Sequence, residues 1–243
     1  MFSQFLKYGG NLLYTYLYGA YRPLYFFYKN FSDKDKIVLM EKSIKPGMTV
    51  VDIGANIGFY TILFSKLVSS GGKVIALEPE EQNFDHLKKN TEKLDNVLLE
   101  RAAVGDKDGE IFLYKSDLLN VDHQTFDIGD ARNADKVKCY ALDSYFQTDA
   151  KVDFIKIDIQ GYDYFALKGM VELTKRSDGL TILGEIWPYG LVKAGVSARE
   201  YLALLRSLGF EVNFFDHIKE SDLDLKEKDR YFYTDFYAIK IRK

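Results

Sequence analysis

The sequence feature that most constrains the fold is an apolar strand that runs into a glycine-rich turn and then directly into a helix. The strand is predicted over residues 49–53 and carries Asp52 near its end, Gly54 and Gly58 frame the turn, and an apolar helix begins close to Phe59. Such a turn leaves backbone N–H groups free at the start of the helix, and its glycines let a ligand approach the main chain closely. This layout predicts a nucleotide site at the carboxyl end of a strand in a parallel sheet.

The residues of this turn narrow the choice of ligand. When the dinucleotide fingerprint G-x-G-x-x-G is placed on Gly54, Asn56 and Phe59 stand where the second and third glycines belong. This mismatch disfavours NAD and therefore an NAD-linked oxidoreductase, which stays as the weaker alternative. A buried carboxylate at Asp52 is costly unless a cationic or hydrogen-bonding group meets it. A ligand with an ammonium group would meet that need.

A second acid follows the next predicted strand. Residues 73–77 form an apolar run, and Glu78 comes directly after them, 20 residues after Gly58. In doubly wound folds an acid at this point holds the ribose hydroxyls of a nucleotide. The pattern therefore predicts an adenosine ligand with an amino-acid arm. The residues expected to bind it are Asp52, Gly54, Asn56, Gly58 and Glu78, with Ala103, after the third strand, at the adenine ring.

The stretches VVDIGANIGFYTILFSKL, VIALEPE and VDFIKIDIQGYDYFALKGM occur in this order along the chain. With them the sequence resembles FkbM-type S-adenosylmethionine-dependent methyltransferases from about residue 48 to residue 215. The resemblance implies a doubly wound, Rossmann-like α/β fold of class I, with a mostly parallel seven-stranded sheet, an antiparallel last strand and helices on both faces. It also implies S-adenosyl-L-methionine as cofactor and O-methylation of a sugar, glycan or natural-product hydroxyl by direct displacement.

Candidate catalytic residues lie at the end of the fourth core strand and in a polar loop. Lys156 and Asp158 are two residues apart, so they point to the same side of the sheet. In FkbM sequences this motif usually reads I-D-V-E-G, so Gln160 stands where the family has a glutamate, and a non-catalytic cofactor-binding module stays open as an alternative. The role of base is assigned to Asp158 or to His123, whose imidazole titrates near neutral pH. An exposed loop histidine is the other interpretation of His123.

Candidate acceptor-binding residues follow the same edge of the sheet. Gln160 is one of them. Glu185 ends the fifth core strand, where it is expected to bind the acceptor, with pairing to Lys156 or capping of a neighbouring turn as the alternative. Trp187 offers a flat platform for a sugar ring, with core packing as the alternative. No metal is predicted, because no ligand spacing is specific. Cys139 is the only cysteine, which excludes a cysteine-rich zinc site.

Alternating hydrophobic patterns predict one α/β domain over residues 48–243, preceded by an aromatic-rich helical extension over residues 1–47. A polar insertion at 116–135, between extra strands at 109–115 and 136–140, is expected to carry acceptor specificity. Helices are predicted near 57–69, 81–94, 162–175 and 197–208, and core strands near 49–53, 73–77, 97–102, 152–157, 180–186, 210–215 and 231–241.

The aromatic N-terminal extension is interpreted as a helical lid or a homodimerisation arm, with a peripheral membrane anchor as the alternative. Its longest uncharged run, Tyr8 to Tyr21, has 14 residues, fewer than the ~20 that a spanning helix needs. With a net charge of −3, the chain has no excess of lysine and arginine with which to bind the phosphate backbone of a nucleic acid. A small-molecule or carbohydrate acceptor is therefore expected rather than nucleic acid. The N-terminal sequence lacks a signal-peptide pattern, which predicts a cytoplasmic protein.

Overall fold

The structure is a computed structural model that describes residue 10, residues 12–114 and residues 134–241. Residues 12–16 form a short helical segment before the first full helix. The elements that follow are α1 (Tyr18–Ser32), α2 (Lys34–Ser43), β1 (Thr49–Ile53), α3 (Phe59–Val68), β2 (Lys73–Leu77), α4 (Glu81–Thr91), β3 (Val97–Glu100), β4 (Ala103–Val104), β5 (Gly109–Tyr114), β6 (Ala134–Tyr140), α5 (Leu142–Tyr145), β7 (Phe154–Ile157), α6 (Asp163–Lys168), α7 (Val171–Arg176), β8 (Thr181–Ile186), α8 (Pro188–Lys193), α9 (Ala198–Ser207), β9 (Phe210–Phe214), α10 (Glu220–Leu225) and β10 (Thr234–Lys240).

The main sheet has seven strands in the order β3-β2-β1-β7-β8-β10-β9. The first five in this order pair in parallel, whereas β10 runs antiparallel to both of its neighbours. The predicted doubly wound α/β fold with an antiparallel last strand is confirmed. The direction of winding changes between β1 and β7, and ligands of open α/β sheets bind at such a switch point. The glycine-rich turn follows β1 at that point.

The two faces of the sheet are covered by different helices. Because strand side chains alternate, Val51 and Ile155 face a large cluster with α6, α7 and α9, while Val50 and Phe154 face a second cluster with α2 and α3. β7 is buried along its whole length. Residue positions 52 and 156 share the face of α2 and α3, so polar groups at these positions are enclosed between the sheet and the helices.

Two predicted elements differ in detail from the structure, and a third lies almost wholly outside the described residues. The strand expected at 97–102 ends at Glu100, and β4 instead joins β5 and β6 in a separate three-stranded sheet. The helix expected at 162–175 is two helices, α6 and α7. They are separated at Gly169, where a Cβ would lie 1.9 Å from the carbonyl oxygen of Gly105. Of the predicted insertion, the structure describes only residues 134 and 135, so His123 lies outside the described residues.

The N-terminal extension packs on the helices beside the glycine-rich turn. Tyr14 and Tyr21 are buried in a cluster with Ile57, and the Tyr14 hydroxyl donates a 2.7 Å hydrogen bond to Asn83. Its other face is open, and the Phe31 side chain is 82% exposed. Within the described residues, no helix has the length and apolar character needed to span a membrane.

Candidate functional site

The turn after β1 has the backbone conformation that its residues predict. Gly54, Asn56 and Gly58 all have positive φ angles, of 75°, 50° and 90°, a region that glycine enters freely and asparagine tolerates better than most residues. A Cβ on Gly54 would lie only 2.1 Å from the carbonyl oxygen of Asp158. The turn after β1 therefore touches the loop after β7. Within the part of the chain that the structure describes, no side chain caps the start of α3 at Gly58, so the first backbone N–H groups of this helix can meet a ligand.

Glu78 connects the end of β2 to this turn. One of its carboxylate oxygens accepts a 2.8 Å hydrogen bond from the Asn56 N–H, and the other accepts a 3.0 Å bond from the Glu80 N–H. Burial raises the pKa of Glu78 to about 7. Each oxygen keeps a second lone pair for a further donor, such as a ligand hydroxyl.

A buried lysine joins the tips of β1 and β7. Lys156 pairs with Asp52 in the strand register, and its Nζ lies 3.5 Å from Asp52 Oδ1 and 3.6 Å from Asp158 Oδ2. The same Nζ donates a 2.9 Å hydrogen bond to the Gly54 carbonyl oxygen. Burial alone would lower the pKa of Lys156, but the Asp158, Asp52 and Glu78 carboxylates outweigh it and raise the pKa. The lysine is therefore a charged group that fixes the turn.

The Asp52 carboxylate is only partly satisfied by these contacts. Its Oδ2 accepts a 2.6 Å hydrogen bond from Thr61, whereas its Oδ1 makes no hydrogen bond within the described residues. Burial raises the pKa of Asp52 although the Lys156 ammonium opposes this effect. Since a buried carboxylate oxygen is costly to leave unbonded, a ligand ammonium at this point would be stabilising. The site therefore fits an adenosine ligand with an amino-acid arm: Glu78 can meet its ribose hydroxyls, Asp52 its ammonium group, and the backbone N–H groups of the turn other polar atoms of the ligand.

Gln160 lies beside Asp158, one of the two residues predicted to act as the base. Its amide donates a 3.1 Å hydrogen bond to Asp158 Oδ1, and its φ of 54° begins a left-handed turn that continues at Gly161. The pKa of Asp158 is lowered: burial opposes the shift, but the lysines at 156, 29 and 36 and the Gln160 hydrogen bond outweigh it. Asp158 is therefore an oriented, ionised carboxylate and a weak base.

Two predicted site residues are buried outside this cluster. Ala103 lies in β4 and packs against Leu113, Val137 and Cys139 in the small sheet. The Trp187 side chain is buried, donates a 3.0 Å hydrogen bond to the Arg230 carbonyl oxygen, and lies so close to Gly190 that a Cβ there would be 2.0 Å from the indole ring. For Trp187, the structure shows the packing contact that was the alternative interpretation.

A cavity of about 210 Å³ opens beside Asp158, at the carboxyl ends of β7 and β8 and the start of β10. Helices α1 and α2 form its other wall, and the Tyr28 and Tyr233 rings stand at it with 63% and 58% exposure. The charged residues that line it are Lys29, Asp33, Lys36, Lys156, Asp158, Glu185 and Asp235.

Most charges of the cavity are paired with one another. Lys36 Nζ lies 2.8 Å from Asp235 and 3.6 Å from Asp33. Asp33 also pairs with Lys29 and accepts a hydrogen bond from the Tyr60 hydroxyl. Sequence reasoning missed these ion pairs, although charges of opposite sign spaced as at residues 29, 33 and 36 are typical of neighbours in a helical segment, which was an available signal.

The described residues contain no group of three or more His, Cys, Asp or Glu side chains arranged to hold a metal ion. The predicted insertion around His123 lies outside the described residues.

Comparison with known proteins gives one family and a set of similar folds. The model of the methyltransferase FkbM domain matches residues 52–212. No curated protein matches the sequence. A candidate rRNA methylase from Clostridium thermocellum is 14% identical with a TM-score of 0.56, covering 86% of this chain and 96% of that one.

Two further solved structures contain the cofactor or its product. An O-methyltransferase from Bacillus cereus in complex with S-adenosylhomocysteine is 19% identical, with a TM-score of 0.51 over 86% of this chain and 80% of that one. Fibrillarin from Aeropyrum pernix with natively bound S-adenosylmethionine is 14% identical, with a TM-score of 0.50 over 84% and 74%. At these identities the likeness concerns the fold.

Proposed function

Because the chain belongs to the FkbM family and is an S-adenosylmethionine-dependent methyltransferase, we propose that it methylates a hydroxyl oxygen of a sugar, glycan or natural product. The observation that carries this proposal is the cavity of about 210 Å³ beside Asp158. Pockets for drug-sized ligands have volumes of roughly 300–1,000 Å³, so this smaller cavity suits a smaller group such as a single sugar ring. The exposed rings of Tyr28 and Tyr233 offer such a ring a flat apolar contact.

The cofactor is assigned to the cluster around the turn after β1. Asp52, with its unbonded Oδ1, would hold the ammonium group of the amino-acid arm, and Glu78 would accept hydrogen bonds from the ribose hydroxyls. Gly54, Asn56 and Gly58 would let the ligand reach the backbone, and Ala103 is kept as the small residue assigned to the adenine ring. The bound cofactor supplies a methyl group activated by its sulfonium, so the protein mainly has to position the acceptor.

The residues after β7 are assigned to positioning. Lys156 is a positioning residue, since it holds the Gly54 carbonyl and the two aspartates in place. Asp158 would accept a hydrogen bond from the acceptor, and Gln160 orients Asp158. His123 stays a candidate base in the predicted insertion, outside the described residues.

An RNA acceptor is the second candidate, since one structure of similar fold is a candidate rRNA methylase. The cavity argues against it, because three lysines and four carboxylates line it and the lysines already pair with carboxylates. Phosphate backbones bind where lysines and arginines are free to neutralise them.

The alternative of a non-catalytic cofactor-binding module predicts that the protein binds S-adenosylmethionine but forms no methylated product.

The proposed acceptor class is tested by release of S-adenosylhomocysteine from the full chain with three sets of acceptors: monosaccharide glycosides, hydroxylated natural products and rRNA fragments. We expect turnover with a member of the first two sets and none with RNA. Turnover confined to RNA would contradict the proposal. Tight cofactor binding with no turnover on any set would favour the non-catalytic module.

Cofactor affinity should depend on the protonation of Glu78. Its pKa of about 7 without ligand means that much of it is protonated at neutral pH, whereas ribose hydroxyls would donate to its ionised form. Binding should then release a proton below that pKa, so affinity should rise with pH and level off above about 7.5, changing by up to about tenfold per pH unit on the acidic side. Calorimetric titration with S-adenosylhomocysteine in buffers of different ionisation enthalpy measures both effects.

The matched variants are Glu78→Gln and Glu81→Gln. Glu81 is three residues away, 61% exposed at its side chain and paired with Arg101 at 3.3 Å, so its replacement should leave the pH dependence unchanged. Glu78→Gln should remove proton release and weaken affinity at pH 8 by about tenfold or more. Proton release that persists in Glu78→Gln would show that another group carries it.

A further inference from the structure

Glu185 lies near the end of β8, next to the carboxyl end of β7, which Asp158 follows. The register pairs Ile157 with Gly184, so the residues that follow, Asp158 and Glu185, lie side by side. Leu183 packs in the cluster on the face of α2 and α3, and strand alternation puts Glu185 on that same face. This is the face that carries Lys156, and Glu185 lines the cavity there.

Among the residues that the structure describes, Glu185 is the carboxylate of this cavity that has no partner. Asp33 and Asp235 both pair with Lys36, and Asp158 pairs with Lys156. Glu185 makes no hydrogen bond or ion pair with any residue that the structure describes. A carboxylate that lines a ligand cavity without a protein partner is free to accept a hydrogen bond from whatever binds there.

The surroundings of Glu185 also make it a stronger base than an ordinary glutamate. Burial raises its pKa well above the usual range, and three nearby carboxylates, those of Asp158, Asp235 and Asp163, raise it further. Lys36 on α2 opposes the shift, and Tyr233 before β10 faces the same carboxylate. A carboxyl group whose pKa approaches the working pH accepts protons more effectively than one that is ionised far below it.

We propose that Glu185 is the general base of the reaction and takes the proton of the acceptor hydroxyl, a role that rests on the proposed O-methylation. The acceptor oxygen forms a bond to the methyl carbon while the carbon–sulfur bond breaks and its electron pair stays on sulfur. The hydroxyl proton passes to the Glu185 carboxylate and then to solvent. The neighbouring Asp158 aligns the acceptor without taking its proton, because its own pKa is lowered.

The other cavity groups are poorly suited to this role. The Tyr60 hydroxyl donates to Asp33, and burial raises its pKa far above the physiological range. Lys156 is charged, since neighbouring carboxylates raise its pKa. Asp235 is held by Lys36 at 2.8 Å. His123 is the competing base, and the variants below decide between the two.

The first test is an infrared titration of the full chain, which needs no acceptor. The absorption of protonated carboxyl groups is followed from acid to alkaline pH in the wild type and in Glu185→Gln. Glu172→Gln is the control, because Glu172 is an exposed glutamate paired with Lys175. The difference spectrum between wild type and Glu185→Gln should show a carboxyl that stays protonated well above the ordinary pKa range of a glutamate. Loss of the same low-pH absorption in both variants would overturn the proposal.

The second test uses the acceptor identified by product release. Glu185→Gln should lower kcat by at least ~100-fold, the usual range for a general base, with KM and the affinity for S-adenosylhomocysteine changed less than about threefold. Wild-type kcat should rise with pH through the pKa of Glu185, and this rise should be absent in Glu185→Gln. Asp235→Asn removes a nearby carboxylate and frees Lys36, so it should move the rise to lower pH.

The outcomes separate this role from the proposed function. Oxygen methylation with unchanged kcat and pH profile in Glu185→Gln would overturn the role of Glu185 alone. Loss of the pH-dependent rise in His123→Ala, but not in Glu185→Gln, would assign the base to His123. Transfer of the methyl group to nitrogen or carbon would overturn both the proposed function and this role.

Discussion

Replacing Gly54 with alanine is expected to weaken cofactor affinity by at least ~100-fold and to lower the free energy of unfolding by about 2–4 kcal/mol. The added Cβ would lie 2.1 Å from the carbonyl oxygen of Asp158, in a residue with φ of 75°. Because the contact is with backbone, the loops after β1 and β7 must separate to relieve it. Steric overpacking and a strained φ each cost about 1–3 kcal/mol. Calorimetric titration with S-adenosylhomocysteine and denaturant unfolding measure the two effects.

Gly47→Ala is the matched control for this variant. Gly47 also has a positive φ, of 87°, but a Cβ there would meet nothing within 4 Å. An alanine at residue 47 therefore has the cost of the positive φ angle but no steric clash. We expect Gly47→Ala to lower the free energy of unfolding by about 1 kcal/mol and to leave the affinity for S-adenosylhomocysteine unchanged. Equal effects of the two substitutions on affinity would show that contact between the two loops does not shape the cofactor site.

Lys156→Met is expected to lower the free energy of unfolding by about 3–5 kcal/mol, the range measured when one partner of a buried ion pair is removed. The substitution leaves Asp52, 3.5 Å from the lost ammonium, buried without a cation, and removes the donor to the Gly54 carbonyl. Burial would then hold the pKa of Asp52 above its unfolded value. The loss of stability should therefore grow as pH rises from the unfolded-state pKa of Asp52 to its folded-state pKa. Denaturant unfolding between about pH 5 and pH 8 measures it.

The control is Lys168→Met, which removes an exposed lysine 3.4 Å from Asp106 and should change stability by less than about 0.5 kcal/mol. The double variant Lys156→Met with Asp52→Asn should recover part of the lost stability, since the uncompensated buried charge is gone. If Lys156→Met were as mild as Lys168→Met, the buried lysine would not hold the site together.

The cofactor side of the site is predictable from sequence because its signals are local. Residues 49–53 and 73–77 are short apolar runs bounded by polar or glycine residues, and both are strands over these bounds. In a doubly wound sheet the ends of adjacent parallel strands meet, so Asp52 and Glu78 could be brought together without any long-range contact. The family resemblance supplied the number of strands and the antiparallel last strand.

The acceptor side depends on contacts between distant residues. The ion pair of Lys36 with Asp235 joins residues 199 positions apart, and nothing in either local sequence indicates it. The break between α6 and α7 also involves distant residues, since it falls at Gly169, where a Cβ would lie 1.9 Å from the Gly105 carbonyl oxygen. Glu185 has no partner among the described residues because the nearby lysines pair with other carboxylates, Lys36 with Asp235 and Lys156 with Asp158, and its local sequence does not indicate this.

The measurement that most directly tests methylation of an oxygen is the assignment of the transferred methyl group in the product. The full chain is incubated with S-adenosylmethionine labelled with ¹³C in its methyl group and with the glycosides and natural products that release S-adenosylhomocysteine. We predict that NMR finds the label bonded to a former hydroxyl oxygen of the acceptor. A label on nitrogen, on carbon or on a nucleic acid would contradict the proposed function.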